Sequence, residues 1–204
     1  MRSATALSVG ASVANPDPGW EPADVRFPRK LVAIVTATGA AALLGAACVP
    51  IAPPATVNGR MPDSALTVIS PACRVPHDLA PRLQAMLEAA RIAGVDLAPE
   101  RSSYLLPGTP TPPEMTSCYR SVEMQVWWRD YYCSIGRCGL AAVPGTSRHG
   151  LGRAVDFDDQ EGQMRFDSPG YHWLAAYAGA YGFSQPLSNS PFGANPEPWH
   201  WVAG

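Results

Sequence analysis

The chain has no basic stripe. Its 15 Lys and Arg nearly balance 17 Asp and Glu, for a formal net charge of −2. That is not the electrostatic footprint of a nucleic-acid binder, and no nucleic-acid partner is expected. No internal repeat is visible, and no CxxC pair, the spacing used by cysteine-ligated zinc sites, occurs. Only four histidines are present, so a metal site built on imidazole must draw on His77, His149, His172 and His200. Charged residues make up 16% and apolar residues 47% of the 204 positions. The chain is therefore too apolar to be wholly disordered and too interrupted for a multi-span membrane protein. The length gives room for one ordinary domain with a tail.

Among what is present, the 22 prolines stand out; they cluster outside the helical patterns and imply long irregular connections. Residues 1–30 are small, polar and broken by proline, and read as a structureless N-terminal region. Residues 31–48 (LVAIVTATGAAALLGAAC) carry no charge and directly follow Arg26, Arg29 and Lys30. Basic residues, an apolar run and then small residues make a secretory signal. The same run can instead be retained as a single-span anchor, with the basic residues on the inner side. Leu44 to Cys48 resembles a lipoprotein box in which Cys48 is acylated, with the leucine one place further from the cysteine than usual. Either route puts the protein outside the cytoplasm, held to the membrane by lipid or by one span. Residues 49–66 read as a linker and 67–204 as the folded domain.

Five cysteines are an odd number. With Cys48 assigned to lipid, four can pair in an oxidising compartment. Cys133 and Cys138 enclose CSIGRC, short enough for a local bridge, and Cys73 and Cys118 then pair over a long loop. The alternative is four buried thiols.

Periodicity predicts three helices. The first runs from Asp78, as cap, to Gly94, with Pro81 in its first turn and Leu83, Met86, Leu87 and Ala90 on one face. The second runs from Ser121, as cap, to Tyr132, its aromatics read as core. The third starts at Ser168-Pro169 and is closed by Gly182. Residues 99–113 are proline-rich and read as a surface loop. Strand-like alternation covers Arg153 to Asp158, with Ala154, Asp156 and Asp158 on one face, and Trp199 to Val202. Helices before and between short strands, without regular βα alternation, predict an α+β domain with a small antiparallel sheet.

The stretch Ser147 to Asp156 (SRHGLGRAVD) joins a histidine to a carboxylate across a glycine-rich bend. Gly150 and Gly152 permit the left-handed backbone of a tight turn that brings His149 beside the strand carrying Asp156. Glu197-Pro198-Trp199-His200 adds a second histidine with a glutamate three residues before it. Two histidines and one carboxylate with an open position form an established catalytic zinc site, and Glu197 is then a base for the attacking water. His77 and His172 lack a ligand at metal spacing and read as structural. Asp158 and Asp159 read as exposed turn carboxylates, with support of the metal ligands from behind as the alternative. A strand running straight through Glu197 and His200 would point them to opposite faces; Pro198 predicts that the strand starts only at Trp199, with Glu197 in the loop before it.

These residues carry a resemblance. Ser147-x-His149-x-x-Gly152-x-Ala154-x-Asp156 resembles the signature of the VanY-like D-alanyl-D-alanine carboxypeptidases, within the LAS group of zinc peptidases. Glu197 to His200 resembles the group's second motif, and Tyr119-Arg120-Ser121 with Gln125 its Y-R-S…Q element. The resemblance runs from about Asn58 onward. It implies an LAS/hedgehog-like fold whose sheet carries Zn²⁺ on His149, Asp156 and His200, with Glu197 as base and Arg120 steadying the oxyanion. It also implies that Arg120, Gln125 and Ser147 contact substrate, although Ser147 can equally serve only to orient the turn. The partners implied are peptidoglycan stem peptides at the cell envelope, acted on by a monomer. A peptidoglycan L,D-endopeptidase of the same group, or a wall-binding lipoprotein with structural zinc and no catalysis, are the alternatives.

Overall fold

The computed structural model describes residues 57–99, 110, 112–114 and 116–204. The N-terminal region, the apolar run ending at Cys48, the start of the linker and most of the 99–113 loop lie outside the described residues. Among those described, the strands are β1 (Leu66–Ser70), β2 (Cys73–Pro76), β3 (Ala154–Asp156), β4 (Asp158–Asp159), β5 (Gly162–Gln163), β6 (Phe183–Ser184) and β7 (His200–Ala203). The helices are α1 (Ala80–Ile92), α2 (Val122–Ser134) and α3 (Pro169–Tyr177). This is the α+β arrangement expected. No helix among the described residues is long and apolar enough to cross a membrane.

All strand pairings are antiparallel: β1 with β2, β4 with β5, and a three-stranded sheet in the order β3-β7-β6. In that sheet Val155 lies opposite Trp201 and Asp156 opposite His200. Phe157 N donates to Trp199 O (3.0 Å) and Ala203 N to Arg153 O (2.8 Å). Asp156 and His200 therefore form a non-hydrogen-bonded pair, the kind in which facing side chains approach most closely. Alternation then sends Val155 and Trp201 into the core and the two polar residues to the other face.

The segment Ser117–Tyr119 links β2 to β3. Ser117 N and Tyr119 N donate to the carbonyls of Ala72 and Arg74 (2.8 and 2.9 Å), and Ser117 O accepts from Asp156 N (2.8 Å). The Cys73–Cys118 disulfide closes the same junction, with Cα atoms 4.8 Å apart. The second expected bridge, Cys133–Cys138, joins the end of α2 to the turn after it.

α1 buries Ala80, Leu83, Met86 and Ala90, a spacing that keeps one stripe toward Val75, Phe157, Met164, Leu174 and Phe183. Its cap differs from the reading above. Leu79 occupies that position, and Asp78 instead pairs with Arg153 at 2.7 Å. Ser121 does cap α2, its Oγ accepting from Met124 N at 3.3 Å. The aromatics of α2 are not core: only Met124 and Gln125 of this helix are buried. Trp127 stacks on Tyr131 and Trp128 on Tyr132, with ring centroids 5.9 and 5.8 Å apart, as a half-exposed ledge. The i, i+4 spacing lets these rings satisfy one another without a deep core beneath. Asp158 and Asp159 are buried, not exposed; Asp159 accepts from Gly170 N (2.8 Å) in the first turn of α3 and from Glu161 N (3.0 Å).

The Cys73–Cys118 bridge spans 45 residues, for which loop entropy gives about 4 kcal/mol of stabilisation. Replacing both cysteines by alanine is expected to lower the unfolding free energy by about 2–4 kcal/mol. Urea unfolding of oxidised wild type and the double variant checks this.

Candidate metal centre

His149 does not lie on a strand. It opens a short 3-10 turn (His149–Leu151) that ends at Gly152, whose φ of +62° requires glycine. Gly150, expected to serve the same purpose, does not have a positive φ. A Cβ there would run into the side-chain amides of Asn58 and Gln125 and would displace them. Ser147 Oγ accepts from His149 N at 3.2 Å and so shapes the turn.

This turn carries the His149 imidazole to the pair on β3 and β7. His149 Nε2 lies 3.4 Å from Asp156 Oδ1 and 3.2 Å from His200 Nδ1, and His200 Nδ1 lies 2.9 Å from Asp156 Oδ1. A tetrahedral ion with bonds of about 2.0–2.1 Å sets its ligand atoms about 3.3 Å apart. The two edges from His149 match that spacing and the His200–Asp156 edge is shorter, a hydrogen-bond distance; these residues form a three-donor metal-ligand cluster. The far nitrogen of His149, Nδ1, lies 2.8 Å from Cys118 O. A carbonyl only accepts, so Nδ1 carries the proton and Nε2 presents its lone pair to the cluster.

Burial pushes the His149 pKa from 6.5 down to about 4, and the Arg120 guanidinium adds to this. Neutral imidazole is the ligand form, so the site is ready for a cation near neutral pH. Arg120 lies beside the cluster, its Nη2 3.6 Å from Asp156 Oδ2 and 3.2 Å from the Thr116 carbonyl it donates to. The neighbouring acidic residue of α2, Glu123, faces Arg60.

β7 begins at His200, one residue later than expected, and Glu197 lies in the preceding loop. The turn is closed by His200 N donating to Glu197 O at 3.2 Å. Asn189 Nδ2 and Asn195 Nδ2 donate to the two Glu197 carboxylate oxygens at 3.0 and 2.9 Å. Glu197, Arg120, Gln125, Ser147 and the three metal-site residues all line one cleft of about 510 Å³. Gln125 is a brace in that wall: its Nε2 donates to Asn58 Oδ1 (3.1 Å) and Arg120 O (3.2 Å), and its Oε1 accepts from Gly145 N (2.9 Å). His77 and His172 stay outside the cleft. His77 binds Thr67 and Ser64, and His172 is exposed on α3.

Sequence reasoning missed Asn58, Asn189 and Asn195. Asn58 lies in the segment read as linker, yet its Nδ2 donates to Ser147 O (2.7 Å), and Gly59 N donates to Gly150 O (2.7 Å). The two asparagines beside Glu197 are spread over a loop of ordinary turn composition, and nothing in their spacing marks them.

The fold and site together define a metal-centre α+β domain with two histidines, one carboxylate and a nearby glutamate. Residues 111–202 match the family profile described as "VanY: D-alanyl-D-alanine carboxypeptidase". No curated protein matches the chain. Three solved structures are similar. VanYB in complex with D-alanine-D-alanine is 25% identical, with 68% of this chain and 76% of that one covered and a TM-score of 0.48. A VanY D,D-pentapeptidase variant from a VanB-type resistance cassette, in complex with Zn(II), is 26% identical over 68% and 77%, with a TM-score of 0.48. The LdcB LD-carboxypeptidase is 22% identical over 71% and 70%, with a TM-score of 0.54, and shares the fold.

The depressed His149 pKa sets a pH dependence. Below pH 6.5 the unfolded imidazole takes up a proton that the folded one refuses until about pH 4. Stability of the protein kept in chelator should therefore be full above the unfolded value. It should fall between the two at up to about 1.4 kcal/mol per pH unit from this group. Chemical unfolding at stepped pH checks it, and His149→Asn should flatten that limb.

Proposed function

We propose that this protein is an exported zinc peptidase that removes the terminal D-alanine from peptidoglycan stem peptides ending in D-alanyl-D-alanine. The observation that carries the reading is the convergence of His149 Nε2, Asp156 Oδ1 and His200 Nδ1 in the cleft that also holds Glu197 and Arg120. The match of residues 111–202 to that family profile supports the substrate class. Two disulfides support an oxidising setting outside the cytoplasm; anchoring through residues 31–48, with lipid on Cys48, belongs to the same reading.

Three protein ligands leave a fourth position open, and Zn²⁺ held there supplies Lewis acidity toward water and toward the scissile carbonyl. Glu197 takes the proton of the attacking water and returns it to the leaving amino group. The asparagine amides hold both of its oxygens, so the carboxylate meets the water in one orientation. Arg120, anchored on Thr116 and drawn in by Asp156, donates to the carbonyl oxygen as that atom gathers negative charge. Ser147 Oγ accepts from the turn and keeps its own O–H to donate to the substrate's terminal carboxylate. Gln125 holds the wall on which Arg120 is mounted.

Incubating purified protein with a stem pentapeptide should release one alanine, seen by mass. Chelator should stop the release and added zinc restore it. An intact peptide, or chelator-insensitive cleavage, would refute the reading. Glu197→Gln is expected to keep one zinc per chain by elemental analysis while losing about 10²–10⁴-fold in turnover. His200→Ala is expected to lose both metal and activity.

A further inference from the structure

The cleft is larger than the metal cluster requires. At about 510 Å³ it falls within the range of about 300–1,000 Å³ that holds drug-sized ligands, and so several peptide residues. Its charged lining comprises Arg120, Arg137 and Arg148 against Asp156 and Glu197. Both carboxylates are engaged: Asp156 faces His200 and Arg120, and Glu197 takes the two asparagine amides. Arg120 is committed to Thr116 and Asp156. Arg137 makes no ion pair among the described residues.

The Arg137 side chain is exposed to the cleft, and its backbone is held in place. Its loop is closed by the Cys133–Cys138 disulfide, and its backbone N donates to Tyr132 O at 2.7 Å. From the other side, Arg129 donates to the carbonyls of Cys138 and Ala141. The same wall holds the stacked Trp128–Tyr132 pair. A guanidinium binds a carboxylate through paired N–H bonds, and flat rings offer an apolar face to a peptide.

We propose that Arg137, presented beside Trp128 and Tyr132, is a subsite for an acidic residue of the substrate peptide. The guanidinium takes that residue's side-chain carboxylate, in addition to the terminal carboxylate held near the metal. This inference rests on the peptidase reading and names which peptides the cleft prefers.

Two short peptides ending in D-alanyl-D-alanine test it. They are identical except that the residue before the alanines carries a free side-chain carboxylate in one and its primary amide in the other. Calorimetry on zinc-loaded Glu197→Gln protein, which leaves the peptides intact, should show the free acid binding about tenfold to a hundredfold tighter. In Glu197→Gln/Arg137→Gln that ratio should fall to about one. Equal affinities, no binding of either peptide, or a preference that survives the arginine change would overturn the subsite. Turnover by wild type is a separate readout. If both peptides bind with the expected preference but neither is cut, the peptidase reading fails and the subsite stands.

Discussion

The site depends on one short run of backbone, Ser117 to Arg120. The Cys118 carbonyl accepts the His149 Nδ1 proton, Ser117 O holds Asp156 N, and Arg120 N donates to His149 O at 3.0 Å. Three groups from three places in the chain, the turn, β3 and the guanidinium of Arg120, are thus referred to the same four residues. The disulfide at Cys118 ties that run to β2, whose side chains join the core beneath α1. A shift of this segment would change the ring orientation of one ligand and the backbone position of another together. Buried polar networks of this kind leave few alternative arrangements, because any unmade bond exposes a desolvated donor or acceptor.

Electrostatics explain why so polar a cluster can be buried. Asp156 is 1% exposed and His149 4%, surroundings in which an unpaired carboxylate is costly. Arg120 offsets the Asp156 charge, yet at 3.6 Å it does not cover the oxygen that faces the histidines. That oxygen and the imidazole nitrogens converge on one point, an arrangement stabilised when a cation occupies it. The guanidinium that discourages a proton on His149 is therefore compatible with a metal at the same place. Across the cleft, the Glu197 carboxylate accepts from two neutral amides, one on each oxygen.

The sequence by itself determined the donors and much of their local setting. Spacing in SRHGLGRAVD and E-P-W-H named His149, Asp156, His200 and Glu197, the proline told that Glu197 precedes the strand, and cysteine arithmetic paired the bridges. Such features are local: glycine, proline and alternation act through the backbone of a few neighbouring residues. Tertiary structure decided what those residues face. That Asp156 meets His200 depends on strand register between segments 44 residues apart. What a side chain at Gly150 would meet depends on Asn58 arriving from a segment with the composition of a linker. The same holds for the aromatics of α2, whose hydrophobicity reads as core, whereas Trp128 and Tyr132 form part of the wall of a cleft. Composition reports how much a side chain gains by leaving water, but only the closure of distant segments determines which partner takes the water's place.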